Sequence, residues 1–212
     1  QVLVDKNDKA FANPTKPIGS FYTEAEAQKH KADSGWTLKE DAGRGWRRVV
    51  ASPKPLRIVE ENTIRLLLEQ DVVVIAVGGG GIPVRETQKG DLEGCAAVID
   101  KDLASCLLAK NLKADLFIIS TGVDKVAIDF KKPTQRELDR LTVAEAKKYL
   151  AEGQFPAGSM GPKIAAAIDF LEHGGKEVII TQPHLLEEAI AGKTARTSCR
   201  KGARTTSARK KR

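Results

Sequence analysis

Three uninterrupted runs of aliphatic and β-branched residues stand out along the chain: Val72 to Val77, Leu116 to Ser120, and Val178 to Thr181. Runs of this kind, with no polar alternation, predict strands buried on both faces of a parallel sheet. Helical spacing precedes each one. Ile58, Ile64, Leu66, Leu67 and Leu68 form a stripe ending near Asp71, Leu103 to Leu108 reads as a helix, and so does Ile164 to Leu171 with Pro162 at its first position. Strands alternating with helices imply right-handed crossovers and a mostly parallel central sheet covered on both sides, a three-layer αβα sandwich of the α/β class. Two shorter strands are expected at Gln1 to Asp5 and at Ala96 to Ile99.

The first fifty residues follow another pattern. Asn13 to Gly19 is a loop stiffened by two prolines, and Thr23 followed by Glu26 has the spacing of a capping box at the head of a short polar helix. Trp36 and the stretch Gly43 to Val50 predict a small β-rich excursion with little apolar content, a subdomain outside the main core.

Charge divides the chain unevenly. The formal net charge is +7, yet Lys193 to Arg212 holds nine basic residues and no acidic ones, leaving 26 basic against 28 acidic residues before it. The expectation is therefore a globular body at 1–192 and a disordered basic tail at 193–212, binding polyanions only non-specifically. Cys95, Cys106 and Cys199 lack CxxC spacing and His30, His173 and His184 lie far apart, so neither a disulfide framework nor a zinc site is indicated and no metal ligands are assigned. The apolar runs are far too short to span a membrane, and a cytoplasmic protein is expected.

Candidate chemistry lies at the ends of the strands, where ligands of open α/β sheets bind. Gly78, Gly79, Gly80 and Gly81 follow the first run and either form a tight turn or bring backbone N–H groups close to an anion. Lys101 sits between Asp100 and Asp102 at a helix start, where Asp102 either caps the helix or organises cations. Thr121, Gly122, Val123 and Asp124 follow the second run. Gly158, Ser159 and Met160 lead into Lys163, a lysine in the first turn of a helix, which sits badly with the macrodipole unless an anion shares the site. Lysines with a carboxylate to hold them suit phosphoryl transfer, and any Mg²⁺ would arrive with a nucleotide such as ATP or ADP.

The stretches NPTKPIG (13–19), EDAGRGWRRVV (40–50), SPKP (52–55), GGGGIPV (78–84), AVIDKDLAS (97–105), STGVDKV (120–126) and GSMGPKI (158–164) together resemble carbamate kinase, within the amino-acid kinase fold. The resemblance covers about residues 1–192. It implies interconversion of ATP plus carbamate with ADP plus carbamoyl phosphate, running toward ATP in arginine catabolism, in a cytoplasmic homodimer. It places Lys16, on a small protruding subdomain, in the active-site cleft, Lys101 and Lys163 at the transferring phosphoryl group, and Asp102 as the organiser of those lysines. Residues 1–55 would then be the end of a substrate lobe with the protruding subdomain, and 56–192 the nucleotide-binding lobe. The family's opening GGN loop and SHGNGP-like stretch do not occur, so about the first third of the family pattern is expected to be missing, and the basic tail is atypical. The alternative is an inactive fragment that keeps a nucleotide-binding lobe or serves only as a dimerisation partner.

Overall fold

The computed structural model describes residues 1–41, 43–156, 158–193 and 197–200. The chain falls into two compact units, Gln1–Leu108 and Ala109–Arg212. Among the described residues no helix is long and apolar enough to cross a membrane.

The first unit contains β1 (Val2–Val4), β2 (Lys16–Tyr22), α1 (Glu24–Ser34), β3 (Leu38–Glu40), β4 (Trp46–Val50), β5 (Pro55–Ile58), α2 (Glu61–Leu68), β6 (Pro83–Glu86), β7 (Leu92–Gly94) and the start of α3 (Lys101–Asn111). Its main sheet has the order β5-β1-β6-β7, with β1 parallel to β6 and antiparallel to β5. Val2, Val4, Pro55, Ile58 and Val84 are its buried side chains. A second sheet, β2-β4-β3, carries α1 and forms the expected subdomain. Poor in aliphatic residues, of which Ala27, Leu38 and Val49 are buried, this subdomain is also held by rings and cations: His30 stacks on Trp36 at 4.6 Å, Arg48 lies 4.5 Å over the Trp36 ring, and Lys31 lies 4.7 Å over Trp46. Thr23 and Glu26 close the capping box read from the sequence, and Gly35 ends α1 in the left-handed conformation.

Two expected strands of this unit do not form. Residues 96–99 are irregular, although Ile99 is buried and the Val98 N–H is held by the Ala51 carbonyl. The run Val72–Val77 is also irregular, with Val73 91% and Ile75 98% exposed. A doubly buried strand exists only where neighbours flank it and layers cover it. Among the described residues β1 is already flanked by β5 and β6, and no strand pairs with 72–77.

The second unit contains β8 (Leu116–Ser120), β9 (Val126–Ile128), β10 (Arg136–Leu138), β11 (Arg140–Thr142), α4 (Val143–Ala151), α5 (Met160–Glu172), β12 (Glu177–Thr181), a 3₁₀ turn at Pro183–Leu185, α6 (Leu186–Ile190) and β13 (Thr197–Arg200). β8 and β12 pair in parallel with Ser120 opposite Thr181, as their apolar composition demands. Phe170, Ile164 and Leu171 of α5 are buried with Val178, Ile179 and Ile180 of β12 in the core of this unit. Met160 begins α5, so Pro162 stands third in the helix, still within the turn whose N–H groups have no intrahelical partner.

The sheet order β11-β13-β12-β8 corrects the expectation of a disordered tail from 193 onward. Thr197–Arg200 lies between β11, parallel to it, and β12, antiparallel to it, with Thr197, Ser198 and Cys199 buried. Two ladders satisfy its backbone, while Glu177 accepts a hydrogen bond from Ser198 at 2.5 Å and pairs with Arg200 at 2.7 Å. The Thr197 hydroxyl donates to the Leu138 carbonyl and accepts from the Val126 N–H, pinning the hairpin β9-β10 to the strand. Residues 194–196 and 201–212, the rest of that tail, lie outside the described residues.

Candidate active site

Two places gather the residues singled out from the sequence, one in each unit. In the first, Asp100 is 7% exposed at the amino end of α3. Its Oδ1 accepts from the N–H of Asp102 at 2.9 Å and of Leu103 at 3.4 Å, so Asp100 and not Asp102 caps this helix. Its Oδ2 accepts from Nζ of Lys16, on β2, at 2.5 Å. Burial alone would raise the Asp100 pKa, but the Lys16 hydrogen bond and charge and the two helix N–H groups outweigh it and hold the carboxyl below its ordinary value. Asp102, buried in the first turn of α3, is therefore not the cap, and the exposed Lys101 stands beside it. Lys16, Lys101 and Asp102 are thus tied to one helix start, and Asp100, named in the sequence only as a neighbour of Lys101, is what ties them.

The glycine run lies elsewhere in this unit. A Cβ on Gly80 would stand 2.2 Å from the Ile99 carbonyl oxygen, and one on Gly81 2.2 Å from Cγ2 of Val2, both at positive φ. These two glycines are required by packing. Gly78 and Gly79 have open space around the Cβ position.

In the second unit a cavity of about 470 Å³ opens past the carboxyl ends of β8 and β12. Thr121, Gly122, Val123 and Asp124 line it on one side, and Ser159 and Met160 at the head of α5 on another. Phe130, Phe155, Pro156 and Ala127 give it apolar walls, and Lys125, Gln135, Glu137 and Gln182 polar ones. The Gln182 amide donates to Asp124 at 2.6 Å, joining the two strand ends. Gln182 was legible in principle, since it directly follows a buried strand, the position where such sheets bind ligands. Ser159 makes no side-chain capping bond and the first turn of α5 holds no acidic residue; the Pro156 carbonyl takes the Gly161 N–H at 2.9 Å, and the positive end of the helix dipole borders the cavity, whose wall elsewhere carries Asp124 and Glu137. Lys163, 8% exposed, sits in that first turn but does not line the cavity wall, and neither does Gly158. The size and the mixture of apolar walls with a few polar groups suit a small organic ligand with an anionic end.

A family model for the amino acid kinase family matches residues 16–182, well over half of the chain. The chain belongs to the amino acid kinase family. It is 55% identical over 195 residues to the carbamate kinase-like protein YahI of Escherichia coli K12, a match covering 92% of this chain and 62% of that protein. It is 53% identical over 194 residues to the carbamate kinase of Thermococcus kodakarensis, covering 92% and 61%. Among solved structures, carbamate kinase from Giardia lamblia bound to AMP-PNP superposes with a TM-score of 0.81 at 48% identity, over 95% of this chain and 64% of that one. The chain therefore spans less than two thirds of the length of these relatives, and its α/β architecture is that of the amino-acid kinase fold.

Proposed function

We propose that the chain carries the nucleotide half and part of the acceptor half of a carbamate kinase-type phosphotransferase, which interconverts ATP plus carbamate with ADP plus carbamoyl phosphate. The observation that carries the reading is the cavity beyond β8 and β12, walled by Thr121–Asp124 and by the amino end of α5, which has no side-chain cap. About 470 Å³ falls within the range of small-ligand pockets and accommodates a nucleoside, leaving its phosphates toward the helix dipole. The nucleotide-bound Giardia relative supports the same reading.

In this reading a carbamate oxygen attacks the γ-phosphorus of ATP and ADP leaves, so the protein's task is positioning and charge neutralisation. Lys163, in the first turn of α5, neutralises the phosphates. The resemblance to carbamate kinase assigns Lys101 to the transferring phosphoryl group as well, and Asp102 to organising the lysines. Lys16 reaches the acceptor from β2 and is steadied by Asp100. Any Mg²⁺ that accompanies phosphoryl transfer would arrive on the nucleotide. The same resemblance supports a cytoplasmic homodimer working toward ATP in arginine catabolism, with no specific nucleic-acid partner.

A second reading is favoured by the bare run at 72–77 and by the share of family length that the chain spans. The 212-residue chain by itself is a nucleotide-binding fragment that turns over only when the rest of the family length is supplied. Mg²⁺-dependent ATP formation from ADP and carbamoyl phosphate, measured on this chain and on one joined to the unmatched part of a relative, separates the two. Activity in the joined form alone supports the second reading; activity in neither refutes the first. Lys163→Ala is expected to weaken ATP binding at least about tenfold, the value of one charge-assisted phosphate contact. Unchanged affinity would remove Lys163 from the site.

A further inference from the structure

Gln182 directly follows β12, Asp124 lies in the loop after β8, and both line the cavity of the second unit. An ionised aspartate can only accept, so the 2.6 Å bond between them fixes the sense of the amide: Nε2 of Gln182 faces Asp124 and donates to it. Among the described residues Oε1 of Gln182 accepts no hydrogen bond and is not buried, which leaves the amide oxygen open to a ligand. Much of the polar wall around it is acceptor too. Asp124 has a second oxygen, Glu137 adds a carboxylate, and the ammonium of Lys125 is engaged by Asp139 at 2.5 Å. Gln135 is the exception, since its Oε1 accepts from the Lys131 N–H at 2.8 Å and its own N–H groups remain.

An amide held in one sense by a carboxylate discriminates between ligands. Turning it over to suit a ligand carbonyl would break the bond to Asp124 and set two acceptors against each other. Adenosine brings donors, its 6-amino group and its ribose hydroxyls, whereas inosine carries a carbonyl in place of that amine. We propose that Gln182 is a specificity-determining residue for the nucleotide: its amide oxygen, fixed in sense by Asp124, accepts a hydrogen bond from a donor of the nucleoside, the 6-amino group or a ribose hydroxyl. This rests on the nucleotide reading of the cavity given above. Asp124 is the positioning residue of the pair. A simple tie between two strand ends would instead serve every nucleotide equally.

The test is calorimetric titration of the 212-residue chain with ADP, with IDP, which has the carbonyl in place of the amine, and with 2′-deoxy-ADP and 3′-deoxy-ADP, each lacking one hydroxyl. The chain is expected to prefer ADP on the order of tenfold over one of the three, and the analogue it rejects names the donor. Gln182→Leu removes the acceptor and Asp124→Asn frees the amide to turn, so each should bring that ratio close to one. Asp124→Asn combined with Gln182→Glu exchanges the two functional groups at constant net charge; the donor then sits at 124, an acceptor remains at 182, and the preference should return. Ratios within one variant cancel a general loss of stability. Equal weakening of all four nucleotides, an unchanged ratio in both single variants, or no preference in the native chain overturns the role of Gln182 and leaves the nucleotide reading standing. A native chain that binds none of the four refutes that reading, and this inference with it.

Discussion

Asp100 is the residue whose removal should tell most, because its two carboxylate oxygens do separable work. Oδ1 caps α3 and Oδ2 holds Lys16. Asparagine keeps a good cap and loses the ion pair, whereas alanine loses both. A hydrogen bond between charged groups contributes about 1.5–3 kcal/mol when buried. The Lys16 side chain is 27% exposed, so water takes back part of that, and Asp100→Asn should cost about 1–2 kcal/mol. Asp100→Ala adds the cap, about 1 kcal/mol more. Both tryptophans, Trp36 and Trp46, lie in the first unit, so their fluorescence through a urea titration follows the unit that holds the pair. pH supplies the sign. The Asp100 carboxyl is held below its ordinary value of 3.8, so its contribution is complete above that value and is lost as pH falls through the lowered one. The gap between native chain and Asp100→Asn should thus be constant near neutrality and close in acid. A gap that persists unchanged in acid, or equal losses from asparagine and alanine, would refute the division of labour.

Thr197→Val strips a fully buried hydroxyl that bridges Val126 and Leu138 and should cost about 1–3 kcal/mol, read as a lower denaturation midpoint of the second unit. Gly80→Ala pushes a methyl against the Ile99 carbonyl at a φ of +131° and should cost at least about 2 kcal/mol, visible in the tryptophan transition of the first unit. Burial pushes the Cys199 thiol up to about 12 and Cys106 is fully buried, so a disulfide reagent at pH 8 should titrate only Cys95 in the folded chain and all three thiols in denaturant.

Much of the fold was legible because local chemistry determined it. The capping box at Thr23 needs only Glu26, and β8 and β12 are apolar on both faces because the sheet requires it. What the sequence could not announce depends on distant neighbours. Thr197–Arg200 has no apolar alternation and becomes a strand because β11 and β12 leave a slot for it. Val72–Val77 has every mark of a strand and lacks the partners that would make it one. The candidate site divides in the same way. Thr121–Asp124 was marked by its place after a buried run, while the Lys16–Asp100 pair spans 84 positions and carries no local signal.

The place of β13 also sets the order in which the second unit can be assembled. Its strand fills the gap between β11 and β12, 58 residues after the β11 residues it pairs with. During synthesis β8 and β12 can pair as soon as both have emerged, but until residue 200 follows, one edge of β12 stays open and the Val126 N–H waits for the Thr197 hydroxyl. The unit is therefore at greatest risk of pairing with the wrong chain in the interval between those two events.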